Sequence, residues 1–348
     1  TIHERPGVYS SYDASSVVSA SAAAKTIGAA AVATKGTANK VELITSYEEG
    51  KSVFGEDASG VYGMSTLLKF LFANGAGAVK AVAVGKDESE EKDYASAFAA
   101  LSDEEDVGVM VCDSAAQSVH LLLKTAAEDA SAARRERIAV IGGSEETVAQ
   151  MVNRAKAVNS ERVVLVGPDI ASDDGGTMSA VFAAAAVAAV IAGNTDPSVP
   201  INGAELTLFG AAGKRLSDNE IDQLVRGGVT PIETVGGVSS PVRGITTKTS
   251  SGGAADTTWR ELTTILIVDE VLAVGDYAFQ QKCLKRMSEM LDGGTTLVFV
   301  SHSIDQVKKL CDHAVWINKG TIMQTGDVNT VCDAYMASQT VKASSLQQ

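Results

Sequence analysis

Between Val79 and Ala192 the chain switches repeatedly between two periodicities, and this alternation restricts its fold more than any other feature. Val79–Val84, Val107–Cys112, Ile138–Ile141 and Val163–Val166 are short, continuous apolar runs. Runs of that kind mark strands buried on both faces. Between and after them, Tyr94–Leu101, Val119–Ala133, Thr147–Asn159 and Met178–Ala192 carry helical patterning. Parallel strands need crossover connections of helix length, and the crossovers are right-handed. The expected fold class is therefore α/β, with a doubly wound parallel-sheet body. Its strand ends lead into Asp113-Ser114, Gly142-Gly143-Ser144 and Gly167-Pro168-Asp169, the edge where such sheets hold ligands.

The segments around this core are less regular. Residues 1–25 combine a Pro6-Gly7 turn with β-formers and serines, which predicts an extended N-terminal arm. Ile27–Thr34 and Val41–Ile44 read as strands, and Ser46 as the N-cap of a helix over Tyr47–Phe54. Met64–Asn74 reads as an amphipathic helix stopped by Gly75. After the turn-rich connector Asn194–Gly203, Ser217 and Glu220 form a capping box ahead of a helix that ends at Gly227-Gly228. Val229–Val235 and Pro241–Thr247 are expected as two strands joined at Gly236-Gly237, a β-rich connecting piece. Lys248–Thr257 reads as a loop.

Charge and cysteine usage bound the partners. The formal net charge is −14, which argues against nucleic acid and anionic membranes. Cys112, Cys283, Cys311 and Cys332 lack CxxC spacing and suggest a reducing compartment with no zinc site. The N-terminus lacks the pattern of a secretion signal. The most apolar segment, Met178–Ala192, is too short to span a bilayer, so the expectation is a soluble chain without direct membrane insertion.

Isolated chemical signals are weak. Gly142-Gly143-Ser144 precedes a helix but lacks GxGxxG spacing, and Gly210–Lys214 falls short of a phosphate loop. Glu88–Asp93 and Asp103–Asp106 read as solvated charge, with a cation site as the sharper alternative. His120 reads as structural. Arg134-Arg135-Glu136-Arg137 reads as a surface cluster, with a subunit contact as its alternative. Ile265–Val268 reads as a buried strand that delivers Asp269-Glu270 to its tip. There the acids either hold magnesium and polarise water, as in a nucleotide hydrolase, or simply open a helix.

Longer blocks carry a resemblance. ERPGVYSSY at Glu4–Tyr12, ITSYEEGKSVFG at Ile44–Gly55 and LLKFLFANGAGAVKAVAV at Leu67–Val84 follow one another in order. DPSVPINGAEL at Asp196–Leu206, LSDNEIDQLVRGGVTPIE at Leu216–Glu233, and VRGITTKT followed by DTTWRELTTILIVD complete the series. Residues 1–268 or so resemble the sheath protein of contractile phage tails and related injection particles. The resemblance implies a structural protein and no enzyme. Subunits would join one another in hexameric rings around a tail tube, through extended arms that add strands to neighbours, and contraction would drive the tube through a target envelope. It implies a subunit-linking role for Arg5, Pro6, Gly7, Val8 and Tyr9. The implied partners are further copies of the chain, the tail tube protein and baseplate proteins. The implied location is the tail of a phage or contractile particle, assembled in the bacterial cytoplasm.

After Asp269 that pattern stops. Ile265–Tyr335 is instead similar to the C-terminal half of ABC-transporter ATPases that export polysaccharide or teichoic acid. ILIVDE matches the Walker B strand, Ala273–Asp276 the D-loop, and TLVFVSHSIDQVKKLCDHAVWINKGTIMQTGD the switch-histidine region. The match implies a magnesium-side acid at Asp269, a water-polarising base at Glu270 and a switch histidine at His302. A nucleotide also needs a phosphate cradle, and the chain has no GxxxxGK[ST]. Asp269, Glu270 and His302 are therefore read as vestigial, with no catalytic residues, cofactor or metal expected. The alternative is an ATP-binding subunit of a polysaccharide exporter.

These readings divide the chain into an arm at 1–25, a sheath-like α/β domain at 26–195, a β-rich completion and linker loop at 196–257, a smaller C-terminal α/β unit at 258–340 and a polar tail at 341–348. In the C-terminal unit, helices are expected near Ala278–Leu291 and Ile304–Cys311, and strands at Leu297–Val300, Ala314–Ile317 and Thr321–Gln324. Ile265–Val268 is expected to be its central strand.

Overall fold

A computed structural model describes residues 25–58, 60–85, 90–133, 135–171, 176–195, 199–208, 215–251, 254–255, 260–266, 307–308, 311–318 and 321–345. The chain divides after Ala273 into two compact units.

The described part of the first unit is built on one sheet. Its strands are β1 (Thr26–Ala31), β2 (Val41–Ile44), β3 (Val79–Ala83), β4 (Val107–Cys112), β5 (Ile138–Gly142), β6 (Val163–Gly167), β9 (Val229–Val235) and β10 (Val238–Pro241). The two-residue strands β7 (Ile170–Ala171) and β8 (Thr177–Met178) pair separately, as do β11 (Ser250–Ser251) and β12 (Ala254–Ala255). The spatial order is β10-β9-β6-β5-β4-β1-β3-β2. Every pairing from β3 across to β9 is parallel, and only the two edge strands, β2 and β10, run antiparallel to their neighbours. Every residue of β4, β5 and β6 is buried, which explains why these strands read as uninterrupted apolar runs.

Helices cover both faces. One face is packed by α1 (Tyr47–Phe54), α2 (Met64–Ala73) and α6 (Ala180–Gly193). The other is packed by α3 (Glu90–Ser102), α4 (Gln117–Ala132), α5 (Val148–Val158) and α7 (Asp218–Arg226). Helix α6 is apolar around its whole circumference because it runs through the core, against β4, β5, β6 and α2. Its alanines permit a close approach. A Cβ on Gly142 would lie 2.3 Å from the carbonyl carbon of Ala180, so strand end and helix start meet backbone to backbone. Phe182 fills the space toward α2, with its ring centroid 5.7 Å from that of Phe70. Among the described residues, no helix is long and apolar enough to cross a membrane.

The expected caps are present. Ser46 accepts from the amide of Glu49, and Ser217 and Glu220 close a reciprocal capping box. Thr147 and Gln150 form a second box at α5. Asn159 then turns left-handed (φ 42°), and its Oδ1 accepts from the amides of Thr249 and Ser250, both at 3.1 Å.

Three local expectations are corrected. The strand after Gly236-Gly237 is Val238–Pro241, not Pro241–Thr247. Both turn glycines have positive φ (62° and 86°), the requirement of a tight two-residue hairpin turn. Val238 therefore pairs directly with Val235. Residues 243–247 run on to other partners. Arg243 pairs with Glu261 at 2.6 Å, and the Thr247 amide donates to the Val163 carbonyl at 2.8 Å.

Second, Arg135-Glu136-Arg137 is not a surface cluster. Arg137 is fully buried and donates to the carbonyls of Leu101 (3.0 Å), Ser102 (3.3 Å) and Glu104. Arg135 donates to Ser102 as well, at 2.7 Å. Leu101 and Ser102 are the last residues of α3, where carbonyls lack partners one turn on, and Glu104 lies in the turn that follows. Glu136 pairs with Arg162 at 2.9 Å.

Third, Ile265 and Leu266 do not begin a strand. Residues 262–266 are helical. Leu262, Ile265 and Leu266 are spaced i, i+3, i+4 and are buried in the same core as α6. That spacing suits a helix face as well as the apolar run suits a strand, and packing decides for the helix. The remainder of the expected strand, 267–268, lies outside the described residues.

The described part of the second unit is a hairpin, β13 (His313–Asn318) and β14 (Thr321–Asp327), followed by helix α8 (Val328–Ser345). Both strands expected there are present, each somewhat longer than its sequence pattern suggested. Trp316 packs on Tyr335 with ring centroids 5.7 Å apart. Val315, Ile317 and Ile322 are exposed on the hairpin. Of the helix expected over 304–311, residues 307–308 are helical and Cys311 is not. The elements expected at 278–291 and 297–300 lie outside the described residues.

Candidate functional site at the C-terminal edge of the sheet

The sheet reverses its winding at β1. The chain places β3 and β2 on one side of it and β4 onward on the other. The crevice beyond the carboxyl ends of β1 and β4 is where an open α/β sheet would hold a ligand. Here it holds Asp113, the first residue after β4. One carboxylate oxygen accepts from the amide of Val32 at 2.9 Å, just past β1, and the other accepts from the hydroxyl of Tyr94 on α3. Burial pushes the Asp113 carboxyl up to about 6, against the opposing pull of the Tyr94 and Val32 hydrogen bonds. Burial, followed by the charge of Asp113, also pushes the Tyr94 phenol and the Cys112 thiol up.

The second opening lies beyond β5, at Gly142-Gly143-Ser144, and it is filled in the same manner. Asp169 accepts from the Glu145 amide at 2.6 Å and from the Ala180 amide at the start of α6 at 2.9 Å. Ser179 caps α6 and donates to the Gly143 carbonyl at 2.7 Å. Backbone amides at a helix start are suited to a phosphate, but these already bind a carboxylate of the chain. The start of α2 follows the same rule. Asp57 accepts from the amides of Gly63 (3.0 Å), Ser65 (3.3 Å) and Thr66 (2.7 Å). Three positions able to take an anion are thus occupied by Asp57, Asp113 and Asp169.

His120 is buried on α4. Its Nδ1 lies 3.1 Å from the Arg154 guanidinium and its Nε2 lies 2.9 Å from the Ser114 carbonyl. The guanidinium can only donate, so Nδ1 accepts and the proton sits on Nε2. Burial, with the nearby Arg154 charge second, pushes the imidazole down to about 4. Arg154 also pairs with Glu146 at 2.8 Å. These contacts bind α4 to α5 and leave the imidazole no free nitrogen, in line with the structural reading of His120. Among the described residues, no group of three or more His, Cys, Asp or Glu side chains is placed to hold a metal ion.

Asp269, Glu270 and His302, the arm residues Arg5, Pro6, Gly7, Val8 and Tyr9, Glu88 and Ser89 of the Glu88–Asp93 stretch, and the GAAGK stretch lie outside the described residues, while Glu90–Asp93 open α3. The carboxylates at the sheet edge were singled out in sequence only as polar loop residues. The available signal was an Asp just after an apolar strand, at Asp113 and Asp169, and it does not distinguish a plug from a ligand-binding group; Asp57 carries no such signal.

Residues 87–247 match the phage tail sheath protein central domain. Among solved structures, the sheath tail protein of Desulfitobacterium hafniense superposes with a TM-score of 0.62. That alignment covers 89% of this chain and 93% of that one at 11% identity. The first unit has the fold of a tail sheath protein. The sheath tail protein of Listeria innocua (TM-score 0.58, 12% identity, 86% of this chain and 89% of that one) and the contracted helical sheath of the anti-feeding prophage (TM-score 0.55, 15% identity, 92% and 94%) share the sheath fold.

A shorter stretch resembles a different family. The teichoic acids export ATP-binding protein TagH of Levilactobacillus brevis is 51% identical over 71 residues, which is 20% of this chain and 20% of that protein. The O-antigen export system ATP-binding protein RfbB of Klebsiella pneumoniae is 44% identical over 71 residues, 20% of this chain and 29% of that protein. The chain spans about a fifth of the length of TagH, and the ABC resemblance is that of a fragment.

Proposed function

We propose that this chain is a structural subunit of a contractile tail sheath, in a phage or a phage-derived injection particle. The match of residues 87–247 to the sheath central domain carries the reading. The occupied sheet edge supports it, because Asp57, Asp113 and Asp169 fill the positions a doubly wound enzyme would leave for substrate or cofactor. In this reading the chain assembles with copies of itself into hexameric rings around a tail tube, meets baseplate proteins at one end, and contracts to drive the tube through an envelope. Residues 1–25 would be the linking arm, with Arg5 to Tyr9 adding strands to a neighbour. Residues 26–195 and 196–257 would form the sheath body, and 258–340 would replace the usual C-terminal domain with an ABC-like piece ahead of a polar tail.

Electron microscopy of the purified chain, alone and with a tail tube, tests the proposal. Rings or striated tubes are the expected result. Monodisperse particles that never assemble, even on a tube, would overturn it.

The ABC resemblance supports a second reading, an ATP-binding exporter subunit. Its Walker B strand would have to begin after Leu266, since residues 262–266 are helical. Titration with magnesium-ATP separates the two. Saturable binding that Asp269→Asn abolishes would favour the exporter, whereas the sheath reading expects no saturation.

A further inference from the structure

Two cysteines of the second unit flank the junction between α8 and the segment entering β13. Cys332 lies on the face of α8 made by Val328, Val331, Cys332 and Tyr335, which are neighbours at helical spacings of three and four. Val328, Val331 and Cys332 are buried, and Tyr335 rests on Trp316 of β13. Cys311 stands just ahead of β13 and is partly exposed. Two contacts bracket the pair. The Val328 amide donates to the Asp312 carbonyl at 3.1 Å, and Lys308 Nζ lies 2.7 Å from Asp333 Oδ1. The residue after Cys311 is thus fixed one helical turn before Cys332, and the Lys308 side chain reaches the residue immediately after it. These two ties hold the segment that carries Cys311 against the turns of α8 that carry Cys332. Burial pushes the Cys311 thiol up, and the neighbouring Asp312 and Cys332 add to the effect.

We propose that Cys311 and Cys332 are a disulfide-forming pair that closes when the chain meets a small-molecule disulfide such as glutathione disulfide. The partly exposed Cys311 loses its proton, and its thiolate attacks one sulfur of the oxidant. A Cys311–glutathione bond forms, the oxidant's S–S bond breaks, and one glutathione thiolate leaves. Cys332 then loses its proton and attacks the Cys311 sulfur, forming the protein disulfide and releasing the second glutathione thiolate. Two cysteine thiols are oxidised and one glutathione disulfide is reduced to two glutathiones. The product ties the entry of β13 to the first turns of α8.

The full chain is incubated with glutathione disulfide at mildly alkaline pH, quenched in acid, alkylated with iodoacetamide and digested with trypsin without reduction. Mass spectrometry should find the peptide of residues 310–319 joined to that of residues 320–342, lighter than their sum by two hydrogens and separated by a reductant. Cys332→Ser should halt the reaction at glutathionylated Cys311, and Cys311→Ser should leave Cys332 unlinked. The wild-type digest decides by itself if either variant fails to fold. Both cysteines recovered alkylated, a reaction that stops at the mixed disulfide, or a link from either cysteine to Cys112 or Cys283 would each overturn the proposal.

Discussion

Arg137 shows how much one buried side chain carries in this fold. Its guanidinium takes three carbonyls at the end of α3, and its Nε has no partner among the described atoms. Arg137→Leu would keep the apolar stem and take the guanidinium donor from the Glu104 carbonyl, while Ser102 keeps Arg135 and Leu101 keeps the Glu104 amide, at a cost of about 2 kcal/mol. Urea unfolding should show the lowered midpoint, and Arg137→Lys should fall between the two because it retains charge without the fork. His120 and Asp113 provide a second test, because their shifts have opposite signs in one pH interval. His120 titrates near 4 when folded against an ordinary value of 6.5. Its contribution is complete above 6.5 and is lost as pH falls toward 4. Asp113 titrates near 6 against an ordinary 3.8, so its contribution is complete below 3.8 and is lost as pH rises through 6. Each is worth on the order of 3 kcal/mol, and in the wild type the two nearly offset. Asp113→Asn should make stability fall more steeply between pH 6.5 and 4, and His120→Asn should make it rise over the same interval. Parallel pH profiles for wild type and both variants would show that these groups are not shifted as the geometry requires.

At the joint of β5 with α6 the two backbones meet directly. Gly142 has ordinary backbone angles, so Gly142→Ala introduces no conformational strain, only a methyl group 2.3 Å from the backbone of Ala180. Neither main chain can yield without moving a whole element. The expected loss is about 2 kcal/mol or more, read from the thermal midpoint. A variant as stable as wild type would mean that α6 does not lie that close to the sheet. The same joint marks what the sequence could disclose. Continuous apolar runs at Val107–Cys112 and Val163–Val166 are legible because parallel strands are buried on both faces. The capping box at Ser217 is legible because it is local, whereas the equivalent box at Thr147 emerged only from the structure. Pairing partners are not local: Arg137 reads as surface charge until α3 is brought over it, and 262–266 suits strand and helix equally until the core selects one face. The turn at Gly236-Gly237 was visible, but the start of the strand after it depended on both glycines adopting positive φ. The carboxylates at the sheet edge were the least legible, since an Asp that fills a crevice and an Asp that awaits a ligand occupy the same place in a sequence.

For the whole molecule, the net charge of −14 has to be reconciled with a proposed life in a tightly packed lattice of identical copies. Like-charged bodies repel, and the range of that repulsion falls from about 30 Å at 0.01 M salt to about 3 Å at 1 M. Several acids already pair with bases within the chain, among them Glu146 with Arg154, Glu136 with Arg162, and Glu104 and Asp106, which share Lys80 and keep one net negative charge. Those pairs contribute nothing to holding copies together, and the uncompensated charge remains for neighbours to face. If assembly is driven by strand addition and apolar contact, added salt screens the repulsion and leaves those contacts intact. The assembled fraction in sedimentation velocity should then rise steadily with sodium chloride at fixed protein concentration. A fraction that falls with salt would mean that complementary charge patches hold the copies together instead, and that the internal pairs are not where the basic residues do most of their work.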